Sequence, residues 1–318
     1  MAKGGGESVR RYFRELSVAA VLGLVLLLLA VVAPAFFSPQ PLLSLAAREA
    51  PTLVVIGGMA LVILSRQIDI SVGSQFAVCG VAFGLLAAEG MAFPLAAIVA
   101  VLLGGILGAV NGWLIAGLRL PSIVVTLATM VAWREGLRWW RQGQFVDLPD
   151  GVQWLGLSQG GGQVLLIAVA AALFVALAIG LRHLAVGRVV YAVGSDEEAA
   201  RLAGLKPRAV TFGVFVAMGV LAAAAAVMNA VQSPQVDPKA GTGLELRAIA
   251  AVVVGGVSIS GGRGTLWGVL AGALLLACVS PGLTHLHIEA YWSRAIEGAI
   301  ILLAVVAEGL RSRKEGRS

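Results

Sequence analysis

The chain has 318 residues, of which 59% are hydrophobic and only 13% charged, with a formal net charge of +6 and a mean hydropathy of +0.93. A soluble domain carries about 25% charged residues, so there is too little charge here to clothe a soluble surface of this size. The basic balance does not argue for a nucleic-acid partner either: the Lys and Arg residues sit at the chain ends and between apolar runs, where they mark the cytoplasmic side of a membrane.

The length leaves room for roughly ten helical spans of about 20 residues. In chain order the apolar runs predict spans at Leu16–Phe37, Pro51–Ser65, Val72–Ala88, Phe93–Gly117 and Pro121–Trp133, the last able to extend to Trp140. Further spans follow at Val164–Leu181, Val210–Val231, Leu246–Ile259, Thr265–Pro281 and Tyr291–Glu308. The fold class expected is therefore all-α, a polytopic membrane protein of about ten transmembrane helices. The first run is longer than a signal-peptide core, and Ala33-Pro34-Ala35 is a poor cleavage context, so it reads as an uncleaved span. The second, fifth and eighth runs are short for a bilayer. Short or interrupted spans occur where irregular backbone is buried in protein, which makes them candidates for the bundle centre.

Placing the N terminus in the cytoplasm puts 16 of the 23 Lys and Arg inside and seven outside. That bias favours both termini inside. The organisation is then a cytoplasmic tail at 1–15, a membrane domain at 16–309 and a cytoplasmic tail at 310–318. Of two long connecting segments, Arg134–Gln163 falls outside and carries Trp139, Trp140 and Trp154 beside arginines, the signature of an interfacial helix or of a docking surface. The other, 182–208, falls in the cytoplasm.

That cytoplasmic loop holds a helix bounded at both ends. Ser195 or Asp196 can cap its N terminus. Glu197 and Glu198 occupy the first turn, where the helix dipole favours acids. Ala199, Ala200, Leu202 and Ala203 follow, and Gly204 with Lys206-Pro207 stops it. A helix of two turns is marginal in water and needs something to pack against. Two readings stand: a cap on the protein's own bundle, or a knob for a groove on a cytoplasmic partner.

Polar residues at membrane depth are few. Asp69 is the only acid in its apolar surroundings, and Ile68-Asp69-Ile70-Ser71 alternates unlike a helix, so a break is expected there with Asp69 or Ser71 capping the third span. Asn111, Thr126, Thr129 and Asn229 are uncharged hydrogen-bonding groups, suited either to a neutral hydroxylated substrate or to bonding between helices. A faint echo of Ile68–Gly73 in Val257–Gly262 suits an internal repeat or chance. Cys79 and Cys278 lie singly in apolar runs, so no disulfide, metal site or cofactor is expected.

Four segments together resemble one family. Val193-Gly194-Ser195-Asp196-Glu197-Glu198-Ala199-Ala200-Arg201-Leu202-Ala203-Gly204 is similar to the Gly-x-Asn-x-x-Ala-Ala-x-x-x-Gly coupling segment of ABC importer permeases of the branched-chain and monosaccharide type, with Ser195 where the family prefers Asn. Ile68-Asp69-Ile70-Ser71-Val72-Gly73 resembles its Gly-Ile-Asp-Leu-Ser-Val-Gly signature, with Gln67 in place of the leading Gly. Asn111-Gly112 leading to Pro121 and Ala128-Thr129-Met130, and Glu245–Gly256 running into Ser260-Gly261-Gly262-Arg263-Gly264, complete the set. The resemblance implies a type II ABC importer-like bundle serving ribose, xylose, rhamnose or autoinducer-2. It further implies a second permease copy or paralogue, separate ATPase subunits and a periplasmic binding protein. On that resemblance Gly194, Ser195, Glu197, Glu198, Ala199, Ala200, Arg201 and Gly204 would couple to the ATPase. Asp69, Ser71, Asn111, Thr126 and Thr129 are the candidates for the substrate pathway.

Consistent with ATP chemistry elsewhere, no Gly-x-x-x-x-Gly-Lys-[Ser/Thr] occurs, and Gly261-Gly262-Arg263-Gly264 reads as a tight turn. A proton-coupled transporter would need paired acids or His deep in several spans, and beyond Asp69 the chain offers little; His285 and His287 fall in an outside loop. A membrane-embedded enzyme would need a nucleophile and base or a metal cluster within the spans.

Overall fold

The computed structural model describes residues 4–285 and the isolated positions 292, 295, 298, 299 and 302. Its helices are α1 (Gly4–Val32), α2 (Pro39–Leu64), α3 (Val72–Ala88), α4 (Phe93–Gly112), α5 (Ser122–Arg141), α6 (Gln159–His183), α7 (Ala185–Ser195), α8 (Glu197–Leu202), α9 (Pro207–Ala230), α10 (Leu244–Val254) and α11 (Leu266–His285). A helix stands over each expected span except the tenth, Tyr291–Glu308, which with His287 and the C-terminal tail lies outside the continuously described stretch. By length and apolarity, α2, α4 with the turn that follows it, α6 and α9 can each cross a membrane. The protein is an all-α, polytopic membrane protein.

Several starts are written in proline. Pro39, Pro94 and Pro207 sit in the first turns of α2, α4 and α9, where the missing N–H costs nothing. Ser158 caps α6 by accepting from the Gly161 N–H at 3.3 Å. The fourth span ends in a single π-turn at Trp113–Gly117.

The second span is longer than expected. Pro51, Arg48 and Glu49 suggest a loop before Pro51, yet α2 is helical from Pro39. An internal proline leaves the carbonyl four residues back without its N–H. That carbonyl belongs to Ala47, and the Gln232 side chain donates to it at 3.1 Å. Glu49 pairs with Arg247 of α10 at 3.0 Å, with both side chains largely shielded. Partners distant in sequence thus repair the two features that look like breakers.

The most hydrophobic windows of α2 and α9 are 78% and 61% buried, against 22% for α4 and 28% for α6. So α2 and α9 form the centre, and α4 and α6 turn most of their surface outward. Of the three short spans expected there, only α10 is short and packed inside. α2 is central but long, and α5 buries only Val125, Thr126 and Leu137.

The segment Arg134–Gln163 is not an interfacial helix of its own. Its first turns complete α5, which ends at Gln142 in a left-handed conformation. Beyond it, Val146–Asp147 (β1) pairs antiparallel with Gln235–Val236 (β2) after α9, Val146 opposite Val236, and the last residues begin α6. Asp147 accepts from the Gln235 amide at 2.6 Å, and Trp154 N–H donates to the Val231 carbonyl at 2.6 Å.

Candidate coupling surface and buried polar cluster

The cytoplasmic loop contains two helices rather than one. α7 precedes the expected helix and buries Gly187, Val190, Val193 and Gly194 along one face. Ser195 is its last residue, and its hydroxyl donates back to the Tyr191 carbonyl at 2.8 Å. The cap is therefore Asp196. Its backbone is extended (φ −159°), which ends α7, and its carboxylate accepts from the Ala199 N–H at 3.0 Å, which starts α8.

The C terminus of α8 closes as a Schellman motif. Gly204 N–H donates to the Arg201 carbonyl and Leu205 N–H to the Ala200 carbonyl, each at 3.0 Å. Gly204 takes φ +81°, which a side chain would disfavour. Arg201 Nε donates to Glu198 at 3.1 Å. This bond holds the Glu198 carboxyl below its ordinary range and Arg201 above its own, although both are open to solvent.

Very little of α8 touches the bundle. Glu197, Glu198, Ala199, Arg201 and Leu202 are exposed, as are Ala203 and Gly204 beyond them, and only Ala200 turns inward. Leu202 is 78% exposed, an apolar side chain on a charged, solvent-facing helix.

The second site is a buried polar cluster at the break before α3. Asp69 Oδ1 accepts from the Ser71 N–H at 2.8 Å and from the Ser71 hydroxyl at 2.6 Å, and Oδ2 accepts from Gln75 Nε2 at 3.2 Å. Ser71 Oγ in turn accepts from Gln75 Nε2 and from Asn111 Nδ2, both at 2.8 Å. All four side chains are sealed from solvent. Ser71 stands at the N-cap position of α3 without capping it through its side chain; Asp69 organises the turn. From α5, the Ser122 hydroxyl accepts from the Ile68 N–H at 3.3 Å, and Thr126 Oγ1 donates to the Ile68 carbonyl at 3.4 Å as well as to Ser122 O at 2.8 Å.

Asp69, Ser71, Asn111 and Thr126 therefore converge on one break in the chain. Thr129 does not join them, since its hydroxyl bonds back into α5 at Val125 O, 3.1 Å away. Gln75, which completes the cluster, is absent from the sequence candidates; its place four residues after Ser71 in an apolar run is the overlooked signal. Gln75 Oε1 and Asn111 Oδ1 remain buried without a hydrogen-bond partner. Cys79 and Cys278 are buried and unbridged. Among the described residues no group of acids, His and Cys could hold a metal ion.

Comparison with known proteins agrees with this architecture. Residues 42–305 match the family described as branched-chain amino acid transport system / permease component. The autoinducer 2 import system permease protein LsrC of Enterobacter sp. (strain 638) is 36% identical over 304 residues, covering 93% of this chain and 87% of that protein. The ribose import permease protein RbsC of Escherichia coli (strain K12) is 34% identical over 312 residues, covering 95% and 97%. LsrC of Photorhabdus luminescens is 33% identical over 304 residues, covering 93% and 90%. No solved structure matches the chain. The match over most of the sequence, on a polytopic bundle carrying the capped helix α8, assigns this chain to the permease components of ABC import systems of the branched-chain type.

Proposed function

We propose that the chain is the membrane-spanning subunit of an importer for a small neutral carbohydrate of the ribose or rhamnose kind. It forms half of the translocation pathway with a second copy or a paralogue. Separate ATPase subunits work from the cytoplasm, and a periplasmic binding protein delivers the substrate. The chain lies in the inner membrane among its lipids, with both termini cytoplasmic. α8 is the element that docks on the ATPase, through Glu197, Glu198, Ala199, Arg201 and the exposed Leu202, while Gly194, Ser195, Ala200 and Gly204 set its position. The single observation carrying this reading is that α8 is capped at both ends yet left almost wholly in solvent, because a helix this short needs a partner to persist.

The polar cluster is read as a support for the pathway wall. Asp69, Ser71, Asn111 and Thr126 hold the break between α2 and α3 open as irregular backbone, and Thr129 lies on the adjoining turn of α5. Autoinducer-2, or a nucleoside, is the second reading of the substrate, favoured by the likeness to LsrC.

The test is uptake into proteoliposomes holding the permease, its ATPase and the binding protein. Ribose accumulation is expected to require internal or external ATP on the ATPase side and to survive collapse of the proton gradient. Uptake by the permease alone, driven by a proton gradient, would overturn the reading in favour of a secondary transporter.

A further inference from the structure

The helix proposed to dock the ATPase touches the bundle very little, so a displacement of α8 must enter the membrane domain through its two ends. At the C-terminal end the main chain has room around it. A Cβ built at Gly204 meets nothing, and the chain runs through exposed Lys206 into α9. The N-terminal end is held tightly. One residue, Asp196, separates α8 from α7, and the end of α7 is wedged between two other segments.

Three backbones meet there. Gly194 is buried, and a Cβ on it would overlap the Leu64 carbonyl oxygen at the end of α2. Gly262 N–H donates to that same carbonyl at 2.9 Å. A Cβ on Gly262 would overlap the Ser195 hydroxyl, and one on Gly261 would lie 2.7 Å from the Gly194 carbonyl and 2.8 Å from Arg66 Cβ. Gly261 and Gly262 also take φ of +80° and +67°. Tyr191 adds a side-chain tie, its hydroxyl donating to the Gly264 carbonyl at 2.9 Å. The glycine-rich turn between α10 and α11, the end of α2 and the end of α7 are thus packed main chain against main chain. A contact of that kind has no rotamer through which to yield.

Both connected segments lead inward. From Leu64 the chain passes through Arg66, at φ +64°, into the break stabilised by Asp69. From the turn it passes into α10 and α11, themselves in close contact where Gly255 meets Gly268. We infer that Gly194, Tyr191 and Gly261-Gly262 form the pin that carries motion of α8 to the cytoplasmic ends of α2 and α10. These are positioning residues, and the inference rests on α8 being the ATPase-docking helix.

The experiment compares Gly194→Ala and Tyr191→Phe with the wild type and with Gly213→Ala, an exposed α9 position whose Cβ meets nothing. Full complexes are reconstituted, and three quantities are read: ATPase co-purification, ATP hydrolysed, and substrate transported per ATP. Gly194→Ala is expected to keep the ATPase bound while transport per ATP falls about tenfold, the scale of a lost coupling energy between sites. Tyr191→Phe, which keeps the ring and removes one bond, is expected to lower the same ratio roughly threefold. Gly213→Ala is expected to match the wild type. If Gly194→Ala does not fold, Tyr191→Phe decides alone. An unchanged ratio in a wild-type-like assembly overturns the pin. A wild-type permease that does not retain the ATPase overturns the docking assignment itself, and the pin with it.

Discussion

Gly219→Leu is expected to leave little folded protein. α4 and α9 approach until their main chains touch. A Cβ at Gly219 would overlap the Gly104 carbonyl oxygen and lie 3.0 Å from Gly108 N, and a Cβ at Gly104 or Gly108 would overlap the carbonyl oxygens of Gly219 or Phe215. Small residues permit such an approach, and lipid provides no hydrophobic force to replace the packing once it is lost. Overpacking a core by a methylene or two against side chains that can move costs about 1–3 kcal/mol. Here the side chain, carried by the central helix α9, meets the backbone of α4, so the cost should exceed about 3 kcal/mol, a large part of a typical stability of about 5–15 kcal/mol. The yield of monodisperse protein in detergent and its thermal midpoint check this. Gly213→Leu, on the outward face of the same helix with nothing nearby, should change stability by less than about 0.5 kcal/mol. Equal behaviour of the two variants would show that the close approach is not what holds α4 to α9.

Asp69→Leu is the second large effect. The carboxylate is the acceptor for the Ser71 N–H, the Ser71 hydroxyl and the Gln75 amide. Removing it leaves three donors sealed from water, each costing about 1–3 kcal/mol. The break before α3 should then lose its fixed geometry, together with the anchor on Asn111 provided by Ser71. Asp69→Asn keeps one acceptor oxygen and turns an N–H₂ group toward the donors, so it should fall between. The expected order of thermal stability is wild type, then Asn, then Leu, and transport should follow the same order. A Leu variant as stable as the wild type would remove the cluster from the account.

Much of this was readable locally. The limits of Val72–Ala88 and Phe93–Gly117 follow from apolar runs closed by polar or glycine residues. The bounds of α8 follow from Asp196 and Gly204, whose roles depend on neighbours a few residues away. What was not readable depends on distant partners. The first turns of α2 look like a loop because Gln232 and Arg247, which satisfy Ala47 and Glu49, lie far along the chain. α7 was hidden by Gly187 and Gly194. Glycines read as helix breakers, whereas here they are helical and allow close approach to Leu181 and Leu64. In the polar cluster Asp69 and Ser71 announce themselves as polar residues in apolar surroundings. That Asn111 binds Ser71 across 40 residues is a fact of the fold alone.

If α8 docks on a separate ATPase as proposed, Leu202→Glu should break that contact. Leu202 is 78% exposed, so the change should leave the thermal midpoint of the permease where it was. Taking a Leu side chain fully out of water contributes about 1.5–3 kcal/mol, and a carboxylate in its place would have to be desolvated. Leu202→Glu is expected to give an intact, well-folded permease that no longer co-purifies with its ATPase and no longer supports substrate-stimulated ATP hydrolysis. A Leu202→Glu permease that assembles and stimulates hydrolysis like the wild type would contradict it.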